Sequence, residues 1–490
     1  MLACAQEPHV RAPGKGVAVL TRFEVSGFKN LRDVVVDFGP FTCIAGQNGV
    51  GKSNLFDAIQ FLSHLASGTF REAIASVRPA SGQRATQESV LSAAVLAGEE
   101  NLRLAAEMVI PSQVRDNRGR STTLPDQCLR YEVELRVDTS YQGKRARPIR
   151  LVSERLTSST RSLPEPLAGV ADPRPGKGRV YIDTTELPVG FDADGEPQDL
   201  GPGASMYAMG MKASVVDLDA GDGSLASMHV SDDYLLDELD RTVLSHGARG
   251  TVPGQAAAEL ESWRFIALEP SLIRAMDSVD APGELEGSGA HLAAFLNAQA
   301  EEQGREVYDA LRHALWEIID LRDLDVVRNG DFLELRAQAG DGPLLPARAL
   351  SDGTLRMLVL GALATTTQPS GAIFLEEPEN GVHPGRLHAL LDLLRRMSEP
   401  QGDALRQVVV NTHSPYVVRE IADRRPEDIV CAVRAKRAAP GGGLEEHAVF
   451  RPLPGTWRAE GWEEGRGTRP VSRGQLSVYL SSPQEWEIDG

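Results

Sequence analysis

Residues 46–53 read Gly46-Gln47-Asn48-Gly49-Val50-Gly51-Lys52-Ser53. Glycines at this spacing let backbone N–H groups turn inward around a chain of phosphates. Lys52 would reach the outer phosphates and Ser53 would ligate magnesium, so the segment is a complete Walker A pattern. Asn48 and Asn54 are the further polar residues of the expected phosphate site. A chance glycine turn is the bland alternative. Context argues against it, because the apolar run Phe41-Thr42-Cys43-Ile44-Ala45 leads into the loop. Ser53 to Leu65 then follows with Leu55, Ile59 and Leu62 on one helical face. A helix starting there points its positive end at a bound anion.

A second group is Ile373-Phe374-Leu375-Glu376-Glu377-Pro378. Carboxylates at the carboxyl end of a buried strand lie where ligands bind in open α/β sheets. Glu376 is expected to hold magnesium and Glu377 to orient the attacking water. A charged turn after a core strand is equally common when such a segment stands alone. The third group, Asn411-Thr412-His413-Ser414-Pro415, also ends an apolar strand, and His413 there could hydrogen-bond a γ-phosphate. A structural histidine is the competing reading. The fourth, Leu350-Ser351-Asp352-Gly353-Thr354, opens a helix that continues through Leu363. Ser351 and the Gly353 amide would form an anion-binding helix end, although a serine capping a core helix explains the same residues.

Continuous apolar strands at 373–375 and 408–410 flank a helix marked by Leu387, Leu390, Leu391 and Leu394, with Pro384 at its start. That order predicts a parallel sheet covered on both faces. Strands are also expected at 21–25, 33–38, 102–110, 129–138, 147–153 and 263–268. A helix is expected around 303–320, with Val307, Leu311, Leu315 and Ile318 along one stripe. Residues 156–255 are rich in Gly, Pro, Asp and Ser and carry no heptads, which excludes a long coiled-coil arm.

The 490-residue chain is longer than one core usually supports, and 41% apolar with 24% charged residues is ordinary globular composition. A net charge of -18 is wrong for a general nucleic-acid coat. Cys4, Cys43, Cys128 and Cys431 are too scattered for a zinc site or a disulfide framework. No apolar run approaches a membrane span. A cytoplasmic protein without a membrane partner is therefore expected. Basic runs at Lys144, Arg145, Arg147 and Arg150, and at Arg115, Arg118 and Arg120, leave DNA contact possible but read more simply as solvated faces. Asp217, Asp219 and Asp222, like Asp192 and Asp194, fit turns better than a calcium loop.

The Walker A segment, the Leu-Ser-x-Gly segment, Glu-Glu-Pro-Glu-Asn-Gly-x-His-Pro and Thr-His-Ser-Pro together resemble the ABC-like AAA ATPases. This group is close to RecF, SMC heads and the ATPase part of OLD-family nucleases. The similarity covers 19–110 and 261–435. It implies an α/β P-loop fold of ABC/SMC-head type, with an antiparallel β-layer, a mostly helical lobe bearing the signature, and an inserted subdomain. The expected divisions are a leader at 1–18, head segments at 19–155 and 256–435, the insertion at 156–255, and a tail at 436–490.

The resemblance further implies ATP and Mg2+ as cofactors and a homodimer that sandwiches two nucleotides. Lys52, Ser53, Glu376, Glu377 and His413 would then act in cis, with Ser351 and Gly353 acting in trans. Two departures from transporter-type proteins stand out: Glu376 replaces an aspartate, and His383 stands where their D-loop has aspartate. Gln83 and Gln87 are the candidates for a Q-loop glutamine. The tail is too short for an OLD-type nuclease domain and has no Asp-x-Asp pair. A sensor or regulatory ATPase with a separately encoded effector is thus the expected role, ahead of a RecF-like DNA clamp or a transporter motor.

Overall fold

The structure, a computed structural model, describes residues 18–78, 85–115, 119–141, 148–168, 176–184, 189–191, 197–199, 214–217, 226–229, 240–248, 250–366, 371–400, 404–438, 444–460 and 469–481. Its centre is a six-stranded sheet. In spatial order the strands are Arg264–Ile266, Ala372–Glu376, Gln407–Thr412, Phe41–Ala45, Ile429–Ala438 and Leu444–Pro452. The first five run parallel and the last is antiparallel to its neighbour.

Alternation along these strands divides the interior. Ile44, Phe374 and Val409 face one core, while Cys43, Ile373, Leu375, Val408 and Val410 face the other. The first core lies against helix Lys52–Leu65, whose Phe56 meets Phe374 edge-on at 5.4 Å between ring centroids. Phe265 stacks on the same ring at 4.7 Å. Behind this layer lies the antiparallel sheet. Its strand order is Ala226–His229, Ser214–Asp217, Val180–Asp183, Ile149–Ser158, Cys128–Val137, Leu102–Val109, Val19–Ser26 and Val34–Asp37.

The second core is roofed by the lobe that carries Ser351. Its helices are Leu292–Gln303, Glu306–Ile319, Asp352–Thr365 and Leu387–Met397. The lobe is less purely helical than its periodicity suggests. Strands Leu321–Asn329 and Phe332–Ala339 form a hairpin, extended by Asp277–Ser278 and Leu345–Pro346.

Strand Ile149–Ser158 and helix Val252–Ser262 each run across the limits placed at 155 and 255. Backbone pairing carries the antiparallel sheet into the 156–255 segment, where a shift in composition is blind to it. The return of that segment is fastened to the sheet by Glu154, which is fully buried. Its carboxylate accepts from the backbone N–H groups of Val243 at 2.6 Å and Leu244 at 2.8 Å, and from the Tyr131 hydroxyl at 3.0 Å. Thr242 then donates to the Leu65 carbonyl at 2.7 Å, tying the same turn to the end of the Walker A helix.

Among the described residues no helix is long and apolar enough to cross a membrane, and no group of three or more His, Cys, Asp or Glu is placed to hold a metal ion. Gln83, Arg118, Lys144, Arg145, Arg147, Asp192, Asp194, Asp219 and Asp222 lie outside the described residues. Arg150 pairs with Asp138 at 3.4 Å.

Candidate nucleotide site

Register brings the chemistry together. Glu376 is level with Asn411, Asn411 with Ile44, and Thr412 with Ala45, the residue before the glycine loop. The two carboxylates, the Thr412–Ser414 loop and the Walker A loop therefore emerge side by side at the carboxyl edge of the sheet, where such folds bind ligands.

The loop is built for an anion. Gly49 and Gly51 have φ of 75° and 120°, values that side-chain-bearing residues rarely adopt. A methyl group on Gly51 would stand 2.8 Å from Asn30 Oδ1, and one on Gly46 would stand 2.5 Å from the Ala432 carbonyl. Asn30 was not singled out from sequence, yet it supports the loop from behind. Its Nδ2 donates to the Val50 carbonyl at 3.0 Å, and its Oδ1 accepts from Asn54 Nδ2 at 2.7 Å.

Lys52 is buried, and its ammonium donates to the carbonyls of Gly46 and Gln47, both at 2.7 Å. Burial pushes the ammonium down to about 8, against the pull of the Glu377, Glu379 and Glu376 carboxylates. The Gln47 side-chain amide nitrogen is buried without a hydrogen-bond partner. These donors suit a polyphosphate: a cation held folded back on its own loop, and glycines that keep the cradle open.

Glu376 pairs with Arg78 through one carboxylate oxygen, while its Oε1 is buried without a partner. Arg78 also donates twice to Asp57 Oδ1 at 3.0 Å and lies 3.5 Å from the Ser53 carbonyl. A guanidinium thus stands between the two residues expected to hold magnesium. The unpartnered oxygen and the hydroxyl of Ser53 are hard oxygen ligands of the kind magnesium takes.

Glu377 has φ of 43°, the left-handed region that side chains disfavour. Its carboxylate accepts from Asn380 Nδ2 at 2.8 Å and from His413 Nδ1 at 2.7 Å. Burial would raise its pKa, but the bonds from Asn380 and His413 and the charge of Lys52 hold it below the usual carboxylate range. It is therefore ionised and able to accept a proton-bearing ligand. His413, expected from sequence to meet a γ-phosphate, has its Nδ1 committed to Glu377.

Glu379, two residues on, was also missed. It is buried, accepts from the Thr412 hydroxyl, and keeps Oε2 unpartnered. Burial pushes its carboxyl up, against the Thr412 bond. The Glu-x-Pro-Glu spacing was the visible signal, but nothing local distinguishes a buried acid from a solvated one.

The signature residues lie elsewhere in the chain. Ser351 caps helix Asp352–Thr365, accepting from the Thr354 N–H at 3.1 Å, a cap worth about 1 kcal/mol. Among the described residues no hydrogen bond joins Ser351 or Gly353 to the Walker A loop. Gly353 instead abuts the loop after Glu377: a methyl group on it would stand 2.3 Å from the Gly381 carbonyl. His383 accepts from the Gly385 N–H at 3.1 Å and starts the turn before helix Leu387–Met397. Gln87 opens a short helix at Gln87–Val90. The 250 Å³ cavity beside Glu376 is lined by Gln60, Arg78 and Glu269 with Phe56, Phe265 and Phe374.

Two family models match. Residues 19–131 match the RecF/RecN/SMC N-terminal domain, and residues 273–419 match a family described as "AAA domain, putative AbiEii toxin, Type IV TA system". A replication and repair protein RecF of Phocaeicola vulgatus is 42% identical over 52 residues, which is 10% of this chain and 14% of that protein. Structural maintenance of chromosomes protein 1 of Schizosaccharomyces pombe is 47% identical over 62 residues, 11% of this chain and 5% of that one. This chain thus spans only a small part of the length of the curated relatives it matches. Among solved structures, an SMC head bound to the C-winged helix domain of ScpA covers 89% of this chain and 98% of its own, at 14% identity and a TM-score of 0.39. The SMC head domain from Thermotoga maritima covers 89% and 99%, at 12% identity and a TM-score of 0.33.

Proposed function

Because this chain belongs with the ABC/SMC-like AAA proteins, we propose that it binds ATP with magnesium and hydrolyses it as a nucleotide-sandwich homodimer. The observation that carries this reading is the shared edge formed by the Walker A loop, Glu376, Glu377 and His413.

On this reading the inward-turned amides of residues 46–53 and the ammonium of Lys52 bind the phosphates, with Lys52 exchanging its two carbonyl partners for phosphate oxygens. Ser53 and Glu376 would hold the metal, with Glu376 exchanging its Arg78 partner for it. Magnesium, when bound, neutralises charge on the transferred phosphoryl group. Glu377 accepts a hydrogen bond from the attacking water and fixes its line of approach. His413 and Asn380 hold that carboxylate in place. Ser351 and the Gly353 amide, at the start of a 14-residue helix, meet the nucleotide of the second subunit. Closing on ATP and reopening after hydrolysis would pass a signal to a separately encoded effector.

Glu377→Gln tests this directly. It should retain ATP binding, lose phosphate release by at least about a hundredfold, and elute as a dimer when ATP is present. Undiminished phosphate release, or a monomer with ATP bound, overturns the reading. The local likeness to RecF favours a second reading, an ATP-dependent DNA clamp. A DNA mobility shift that needs ATP and survives Glu377→Gln would select it.

A further inference from the structure

We propose that Tyr479, in the C-terminal helix Arg473–Ser481, is a positioning residue for the His413 loop. The helix thereby sets the rate of turnover. This rests on the hydrolytic reading above.

Tyr479 is fully buried, 0% exposed, and its hydroxyl donates to the backbone carbonyl of His413 at 3.1 Å. A buried phenol hydroxyl needs a partner, and this one takes it from the residue whose side chain holds Glu377 at 2.7 Å. The link from tail to catalytic carboxylate is therefore two hydrogen bonds long and passes through a single residue.

The rest of the loop is fixed from the strand side. Thr412 donates its hydroxyl to Glu379 and accepts from the Ser414 N–H at 3.0 Å. Ser414 then caps helix Pro415–Arg424, accepting from the Val417 N–H at 3.5 Å. His413 lies between these two anchors, and among the described residues the tyrosine is the contact that reaches its carbonyl from outside the segment.

The helix has reason to be there. Val471 is fully buried and donates its N–H to the Pro452 carbonyl at 2.9 Å, which ties the start of the helix to the end of the last strand of the six-stranded sheet. Leu476 and Leu480 pack against the core beneath the signature lobe. This docking spends the apolar face of a nine-residue helix to place one hydroxyl under the catalytic loop. Neither matched family segment extends this far, since the second ends at residue 419.

The test is Tyr479→Phe in the full chain, which keeps the ring and deletes the hydroxyl. Tyr131→Phe serves as the control, removing another buried tyrosine hydroxyl far from the loop. For Tyr479→Phe, kcat should fall about three- to tenfold, the loss of one ordinary hydrogen bond, with KM for ATP unchanged. Tyr131→Phe should lower thermal stability and leave kcat alone. Wild-type kcat in Tyr479→Phe overturns the proposal. So does an equal fall in the Tyr131→Phe control, or a fall in kcat matched by a loss of ATP affinity. Absence of turnover in the wild-type protein, measured alongside, would instead remove the hydrolytic reading itself.

Discussion

Asn411 accepts the backbone N–H of Glu377 twice, through its own carbonyl at 3.1 Å and through its side-chain oxygen at 3.0 Å. Glu377 needs the support, because its left-handed backbone costs of the order of 1 kcal/mol or more. The strand of the third motif thus holds the backbone of the second motif as well as its carboxylate. Asn411→Ala should keep ATP affinity within about twofold and lower kcat by about three- to tenfold, the equivalent of one hydrogen bond. Steady-state kinetics check this, and a rise in KM with kcat unchanged would contradict it.

Lys52 makes ATP binding dependent on pH. Its ammonium is pushed down to about 8 in the free protein, and only the charged form can pair with phosphate. Affinity should therefore be level below pH 8 and fall above it, by up to about tenfold per unit, because binding must then take up a proton. Calorimetry in buffers of different ionisation enthalpy reads that proton. Lys52→Ala should weaken binding by roughly 10- to 100-fold and abolish the pH dependence.

Arg78→Ala should unlock the metal side of the site. The guanidinium now satisfies Glu376 and Asp57 together. Without it Glu376 loses its ion pair, while Asp57 keeps Lys29 at 2.6 Å, and stability should fall by about 1–2 kcal/mol at low magnesium, kept modest because Arg78 is partly exposed. Millimolar magnesium without nucleotide should then raise the melting temperature of the variant more than that of the wild type. An equal response in both proteins would mean that Arg78 does not compete for the metal site.

Subunit mixing tests whether the signature acts across the dimer. Ser351→Arg places a bulky cation at a helix start that, in the proposed dimer, would approach a second phosphate loop. It should bind ATP but not hydrolyse it. Mixed with Lys52→Ala, it leaves one composite site with an intact Walker A loop and an intact signature, and activity should reappear. Full activity of Ser351→Arg alone would reduce Ser351 to the helix cap that it visibly is.

The sequence discloses this site unevenly, for a physical reason. A phosphate loop, a strand-end carboxylate pair and a helix cap are made by consecutive residues, so spacing reveals them. Asn30, Arg78 and Tyr479 act on residues 24, 298 and 66 positions away, and nothing in their own neighbourhoods marks them. The sheet strands at 41–45, 263–268, 373–375 and 408–410 were legible as short apolar runs, whereas Ile429–Ala438 and Leu444–Pro452, with Arg434, Lys436, Arg437 and Glu445 among their residues, were not and cross into the segment read as a tail from 436. The strands inside 156–255 were not, since short pieces among glycines carry too little pattern. Glu154, which fastens that segment, has no local signature at all.

The contact between Gly353 and Gly381 gives the proposed dimer a property that neither subunit has alone. Gly381 follows Glu377 by four residues, inside a turn closed by the Val382 N–H to the Glu379 carbonyl at 3.0 Å. With no side chain on either glycine, the start of the signature helix rests directly on that loop, like two cogs in mesh. In the proposed sandwich, what a chain would offer its partner's nucleotide therefore rests against the loop that serves its own. In a pair of such chains, the occupancy of one nucleotide site would therefore be felt at the signature helix that faces the other.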